Sequence, residues 1–441
     1  MIQQMHVFNY LCIYDMTIDL SWSGTKAPAH YEDYEGLLFV QQGNDKNKVR
    51  NNRIVPVLSL YGANSSGKTT VLKAVNELKN IVSEGVNFDN FQPNRIKQNS
   101  KDKQYTEFEI VFWKEGDKYD YLLRYDNERI LKEELKKNDD EIFLVDNNRI
   151  CKVFDAITEI GDLEKEYRTR CINISNNCQI KTFLSGIAKA YPGTSLSINM
   201  ANEYILNDIL VLHNNKIPFL EGVNKLSSVY GNELSEEERE DKAVHEIVKY
   251  LGKLDLGIVD IEVLKEQRPL RELRDVLTSN IGISIDSIDK IEGDVFRANS
   301  IYTVHKSEDG KDVRIKLYNE SKGTRLLMGL LGFLLYSIKK GKTILVDELD
   351  ESMHSLLLIQ LVRLFKEKRL NKNSQLIFTA HNTDLLASDL LSEYEIGFIK
   401  YEKKRGTTFS SLADNHDIRY RDNRRQLYLD GYFGGVPFPY V

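Results

Sequence analysis

The stretch IVPVLSLYGANSSGKTTVLKAVNELKNIV, residues 54–82, decides the fold. Its opening, Ile54–Tyr61, is a short apolar run of the kind that forms a buried strand, and the residues after Lys68 repeat apolar side chains at helical spacing. Between them GANSSGKT, Gly62–Thr69, matches GxxxxGK[ST] in the strand, loop, helix context that gives this phosphate-loop pattern its meaning. Glycines let backbone N–H groups close around a phosphate, and the helix N-terminus favours an anion. Lys68 is placed to reach the β- and γ-phosphates and the Thr69 hydroxyl to bind Mg²⁺. The candidate nucleotide-binding residues here are Gly62, Asn64, Ser65, Ser66, Gly67, Lys68, Thr69 and Thr70.

Two further stretches supply the chemistry such a loop needs. KTILVDELDESMH, residues 342–354, sets aliphatic residues before Asp347 and Glu348, as in a buried parallel strand that delivers carboxylates to its C-terminal edge. Asp347 is then the candidate Mg²⁺ ligand alongside Thr69, and Glu348 the base that polarises an attacking water. SQLIFTAHNTDLL, residues 374–386, is another apolar strand that ends at His381, whose imidazole is a candidate sensor of the γ-phosphate or the water. With Lys68, Glu348 and His381 form the candidate catalytic set.

NESKGTRLL, residues 319–327, opens a strongly apolar helix with small polar residues. Free N–H groups, the Ser321 hydroxyl and the helix dipole make a second anion-binding end. A plain N-cap made by Ser321 or Thr324 is the simpler reading of this stretch in isolation.

The order phosphate loop, long insertion, Ser-x-Gly at a helix start, acidic strand, strand-His resembles the ABC-type ATPase head shared by RecF, SMC and OLD-like proteins. DELDESMH and ESKGT are further similar to strings of bacterial stand-alone AAA-class ATP/GTP phosphatases, and QLYLDGYFGGVPF to their closing segment. Proteins of that kind occur in antiphage defence operons beside a nuclease or toxin, as in PARIS-type systems and RloA-like ATPases. The resemblance rests mainly on residues 1–80 and 300–400. It implies ATP and Mg²⁺ as cofactors and heads that pair on ATP. It further implies a separately encoded effector and a phage-encoded trigger, and it assigns Ser321 and Gly323 to a nucleotide held by another subunit. Asp350 matches the loop that faces the partner head, and His354 a family position of underived role. For the glutamine loop, Gln92 and Gln98 both remain candidates.

The fold expected is α/β: an ABC-type head with a P-loop sheet core, an antiparallel β lobe and an inserted helical subdomain. EFEIVFW, DYLLRY and ERILKEEL read as strands of the first lobe, with a hairpin turn in KEGDK. The Asn-rich middle alternates with helices, the clearest opened by a Ser235/Glu238 capping box with Val244, Ile247, Val248 and Leu251 as one stripe. VDIEVLKE, IYTVHK and VRIKLY read as returning strands, the last two joined at Asp309-Gly310. These readings divide the chain into 1–150, 151–257 and 258–441.

Bulk properties exclude several classes. The 441 residues are 41% hydrophobic and 29% charged, without an apolar run long enough for a membrane helix or a signal-peptide start. Cys12, Cys151, Cys171 and Cys178 form no CxxC pair, and a cytoplasmic location is expected. With a net charge of −6, any nucleic-acid contact must come from a local patch such as Arg419, Arg421, Arg424 and Arg425, or Arg95 with Lys97, Lys101 and Lys103. The first patch reads more simply as a solvated basic helix ahead of an apolar tail that docks on its own sheet. No heptad arms, no room for a Toprim domain and no two-metal acidic constellation are evident. A RecF-like ATPase that binds duplex DNA is the alternative function, and the absence of an NKxD string speaks against a GTPase.

Overall fold

Strands β1 (Ile2–Tyr10), β2 (Ile13–Asp19) and β3 (Val57–Tyr61) precede helix α1 (Lys68–Glu84) in the computed structural model. It describes residues 1–22, 38–39, 53–94, 105–153, 179–192, 196–213, 217–269, 288–292, 295–415 and 423–434. A meander follows: β4 (Thr106–Lys114), β5 (Asp117–Tyr125), β6 (Ile130–Lys137), β7 (Asp140–Asp146) and β8 (Arg149–Val153). Helices α2 (Phe183–Ala190) and α3 (Ser197–Glu203) lead to β9 (Ile209–His213). Helices α4 (Phe219–Ser227) and α5 (Glu236–Gly252) lead to β10 (Ile258–Pro269), β11 (Ile288–Glu292), β12 (Val295–Lys306) and β13 (Asp312–Lys316). Then come α6 (Lys322–Lys340), β14 (Thr343–Asp347), α7 (Ser355–Lys366), β15 (Gln375–Thr379), β16 (Ile396–Glu402), β17 (Gly406–Ser411) and α8 (Arg424–Leu429).

The chain divides into two compact units. The first comprises Met1–Val211, Gly341–Asp347 and Val362–Val441. Its sheet runs β8-β7-β6-β5-β4-β1-β2-β17-β16-β3-β15-β14-β9. One half is an antiparallel meander whose alternation puts Tyr119, Tyr121, Leu123 and Tyr125 of β5 into the core. Its tight β4–β5 turn needs left-handed backbone at Glu115 (φ 53°) and Gly116 (φ 87°), which fits the expected KEGDK hairpin. The other half is parallel, with β3, β15 and β14 in register as Val57↔Leu376 and Thr343↔Gln375, and these strands are buried throughout. Gln375 fastens this half at its base: its amide accepts from Ile2 N–H at 2.9 Å and donates to the Ile2 and Val55 carbonyls. Helix α1 buries Val71, Leu72, Val75, Leu78, Ile81 and Val82, each worth about 1.5–3 kcal/mol of apolar burial.

The second unit comprises Leu212–Lys340 and Glu348–Leu361. Helices α4 and α6 approach at backbone distance through Gly222, Gly329 and Gly332, where a Cβ on any of the three would overlap a facing carbonyl oxygen. That explains the glycines in GLLGFLLYSI. The capping box at Ser235 and Glu238 is formed, and Val244, Ile247 and Leu251 are buried along α5. In the smaller sheet β12 pairs with β10 on one edge and with β11 and β13 on the other. The Gly310 turn is present (φ 79°), and the VRIKLY strand ends at Lys316 because Leu317–Asn319 form a 3₁₀ turn.

The expected helical insertion 151–257 is divided differently. Residues 183–211 belong to the first unit: Phe183 and Leu184 are fully buried, Phe183 packs on Phe143 at 4.8 Å, and β9 extends the large sheet. Glu133, fully buried on β6, accepts the Phe183 and Leu184 N–H groups at 2.7 and 2.8 Å and caps α2 from a distant strand. From Leu212 onward the span joins the second unit, with α4 and α5 as its helices among the described residues.

Candidate nucleotide site

The phosphate loop joins β3 to α1 as expected. Its curvature rests on left-handed backbone at Ser65 (φ 64°) and Gly67 (φ 107°). Gly67 has a second reason to lack a side chain: a Cβ there would lie 2.5 Å from Thr407 Oγ1 on β17. Gly62 is pressed against the Ile399 carbonyl of β16, so a side chain has no room there either. Thr407 braces the loop from outside. Its hydroxyl donates to the Ser66 carbonyl at 3.0 Å, and its N–H donates to the Cys12 carbonyl at 2.9 Å. The Cys12 thiol in turn donates to Thr70 Oγ1 at 3.2 Å.

Lys68 is almost fully buried and its ammonium donates to the Gly62 and Ala63 carbonyls at 2.7 and 3.1 Å, folded back along the loop it serves. Asn64 and Ser65 are exposed. Ser66 Oγ is buried and has no hydrogen-bond partner among the described residues. An orphaned buried hydroxyl in a loop of this shape fits an oxyanion, whose acceptor oxygens would complete it.

The structure brings the two candidate metal ligands together. Thr69 Oγ1 donates to Asp347 Oδ1 at 3.3 Å, although the residues are 278 positions apart. Strand order is the cause: β15 lies between β3 and β14, so the loop and the acidic strand end at one edge of a parallel sheet. The intervening β15 adds a residue that sequence reading passed over. Thr379 is fully buried, and its hydroxyl donates to the same Asp347 oxygen at 2.7 Å. A hydroxyl and a carboxylate, with a second hydroxyl behind, suit a hard cation that keeps most of its own waters. Among the described residues no group of three or more His, Cys, Asp or Glu makes a metal cage of its own.

Glu348 follows Asp347 directly, exposed, with its backbone in the left-handed region at φ 52°. Such strain in a non-glycine residue is costly, about 1–3 kcal/mol, and concentrates at working sites. His381 is exposed just beyond β15 and the buried Ala380. Glu348, Asp350 and His354 belong to the second unit, as do Ser321 and Gly323, whereas Lys68, Thr69, Asp347 and His381 belong to the first. Asp350 is half-buried in a turn closed by Met353 N–H on its carbonyl. His354 acquires a structural role: Nδ1 accepts the Leu356 N–H at 3.2 Å and caps α7.

At the signature segment, Ser321 Oγ accepts the Thr324 N–H at 3.1 Å, which is an N-cap, and is exposed. Gly323 lies against the Ser352 carbonyl so closely that a Cβ would overlap it. Of the glutamine candidates, Gln92 is exposed and its carbonyl accepts from Leu11 N–H, while Gln98 lies outside the described residues.

The C-terminal cluster is described in part. Arg419 and Arg421 lie outside the described residues, as do Arg95, Lys97, Lys101 and Lys103. Arg424 is buried, donates to the Leu391 carbonyl at 2.9 Å, and is no solvated side chain. Arg425 pairs with Asp384 at 3.2 Å. The apolar tail does dock on its own sheet: Tyr428 packs edge-on against Tyr61 and Phe433 stacks on Phe398 at 4.1 Å. Burial raises the Tyr428 hydroxyl pKa, and a hydrogen bond with the Gly62 backbone lowers it in part, so α8 touches the first residue of the phosphate loop.

A family model matches part of the chain. Residues 182–388 match the family described as "AAA domain, putative AbiEii toxin, Type IV TA system". The matched span includes the signature segment, the acidic strand and His381, and starts after the phosphate loop. It supports an AAA-type nucleoside-triphosphatase domain. No curated protein matches the chain. Among solved structures the chain is similar to the SMC head domain from Thermotoga maritima, at 14% identity and a TM-score of 0.42, over 93% of this chain and 98% of that one. No helix among the described residues is long and apolar enough to cross a membrane.

Proposed function

We propose that this chain is a Mg²⁺-dependent ATPase that pairs head to head on ATP and acts as sensor and scaffold of an antiphage, abortive-infection system, controlling a separate toxic effector such as a nuclease. One observation carries the ATPase reading: Thr69, Asp347 and Thr379 converge beside a loop that holds Lys68 and an unsatisfied Ser66 hydroxyl. Bound Mg²⁺ would neutralise developing phosphate charge. The chain's own part is to cradle the phosphates on the loop N–H groups and Lys68, and to hold Asp347 oriented through the Thr69 and Thr379 hydroxyls. Glu348 takes a proton from water, and His381 orients it.

Pairing is supported by the exposed Ser321 cap at the start of a nineteen-residue helix, an anion-binding end outside the unit that carries the phosphate loop. The defence role is supported by the matched family's toxin and toxin–antitoxin description, and by the motif resemblance. The RecF-like alternative relied on a basic C-terminal patch, and Arg424 is spent on Leu391 and Glu393 within the fold.

A complementation experiment tests the shared site. Lys68→Ala removes one half of a composite site and Ser321→Arg the other, so each variant alone should be inactive. In a random mixture half of the pairs are mixed, and each mixed pair keeps one intact site, so ATP turnover should return to about a quarter of wild type. A mixture as inactive as its components refutes pairing through Ser321.

A further inference from the structure

We infer that Glu320 and Lys322 are positioning residues that hold Ser321 rigidly for the neighbouring subunit, one anchored to the small sheet and the other to the loop after the acidic strand. The inference rests on the paired-head reading above. The residues flanking Ser321 are both engaged in directional contacts within the second unit. On the N-terminal side Glu320 is largely buried, and a single oxygen, Oε1, accepts from Thr303 Oγ1 at 2.5 Å and meets His305 Nε2 at 2.7 Å. Thr303 is fully buried on β12, and its partners across the sheet are Ile261 and Ile315, so this anchor is set in the middle of a packed strand. On the C-terminal side Lys322 Nζ meets Glu351 Oε1 at 2.5 Å. Gly323 adds a second tie to the same loop by backbone contact with Ser352, itself held in left-handed backbone at φ 59°.

Thermodynamic stability is a poor reason for the Lys322–Glu351 pair. The lysine is 56% exposed, and exposed ion pairs contribute little after side-chain entropy and screening. Glu351 also carries a cost: its other oxygen, Oε2, is buried without a hydrogen-bond partner among the described residues. A carboxylate retained in that setting is better explained by geometry than by stability. Glu351 sits three residues after Glu348, whose carbonyl accepts the Glu351 N–H at 2.9 Å. A change in the turn at Glu348 therefore reaches Lys322 through one turn and one ion pair. The cation inside Ser-Lys-Gly is then occupied within its own chain and is not a phosphate ligand.

The test measures three things on the full chain: nucleotide binding under conditions where the chain is single, ATP-dependent pairing by sedimentation, and ATP turnover. Lys322→Glu and Glu351→Lys should each leave single-chain nucleotide binding unchanged and lower turnover on the order of a hundredfold, the scale of a misplaced reacting group. Combined in one chain they should restore pairing and turnover, whereas a mixture of the two single variants should not, because the ion pair is internal. Glu320→Gln keeps an oxygen acceptor for Thr303 and should pair better than Glu320→Ala, a ranking that a merely misfolded variant would not give. Single variants that pair and turn over like wild type overturn the inference, as does a double variant no better than its parents. A wild-type chain that fails to pair on ATP refutes instead the reading beneath it.

Discussion

Thr379→Val is the sharpest probe of the candidate metal site, because it changes one hydroxyl and almost no volume. Valine is β-branched like threonine, so β15 should be undisturbed. What is lost is the 2.7 Å donor to Asp347 Oδ1, a shorter bond than the 3.3 Å one from Thr69 to the same oxygen. Asp347 is only 8% exposed, so water replaces the donor poorly. A hydrogen bond to a charged group contributes about 1.5–3 kcal/mol, and outer-shell losses typically cost about 10- to 100-fold in metal affinity or activity. The Mg²⁺ concentration that gives half-maximal ATP turnover should therefore rise by about 10- to 100-fold. Nucleotide binding in the presence of a chelator should stay at wild-type level, since the Thr379 hydroxyl acts on Asp347. Thr379→Ser, which restores the hydroxyl, should recover most of the loss. A Mg²⁺ midpoint unchanged in a folded valine variant refutes the argument that Asp347 is the ion's carboxylate and Thr379 its orienting donor.

Other outcomes follow from contacts elsewhere. Burial pushes the Glu133 carboxyl up to about 7 against the pull of two backbone N–H groups and Tyr121, so its protonated form favours folding. That contribution is complete below its unfolded value near 4.5 and is lost as pH rises through about 7. Relative to Glu133→Gln, the wild type should lose about 3 kcal/mol of stability between pH 5 and pH 8 in urea titrations, and parallel pH profiles would contradict the assignment. Tyr428→Phe keeps the ring packing on Tyr61 and Phe398 but loses the Gly62 contact, so it should weaken nucleotide binding at a stability cost of only about 0.5–1.5 kcal/mol; Tyr428→Ala should cost about 3–5 kcal/mol by chemical denaturation. Gly222→Ala forces α4 from the α6 backbone and should cost about 1–3 kcal/mol or more, measurable in the same way.

What was legible in the sequence is what depends on neighbours along the chain. The loop 62–69, the β4–β5 turn and the α5 capping box are each written within a few residues, and each forms where its pattern lies. Long-range placement was not legible. Nothing local says that β15 separates β3 from β14, that Phe183 belongs on the large sheet, or that Thr407 and Tyr428 press on a loop more than 300 residues earlier. Thr379 had a usable signal, a hydroxyl one place before the end of a buried apolar run, yet its meaning depends on the adjacent strand bringing Asp347 alongside.

Gly323 shows how a motif can be right in position and ambiguous in reason. The family resemblance assigns it to a nucleotide held by another subunit, while the structure supplies a nearer cause for the glycine in the Ser352 carbonyl. A Gly323→Ala variant would disturb the loop after the acidic strand whether or not heads pair, so its inactivity would discriminate nothing. Ser321 is different: its hydroxyl bonds the Thr324 N–H and hydroxyl at the start of α6, and its side chain is exposed. Loss of the cap costs about 1 kcal/mol, too little to unfold a helix buried along most of its length. Abolished pairing in Ser321→Arg with nucleotide binding intact can then have only an intermolecular cause, which is why Ser321, and not the glycine beside it, carries the decisive experiment.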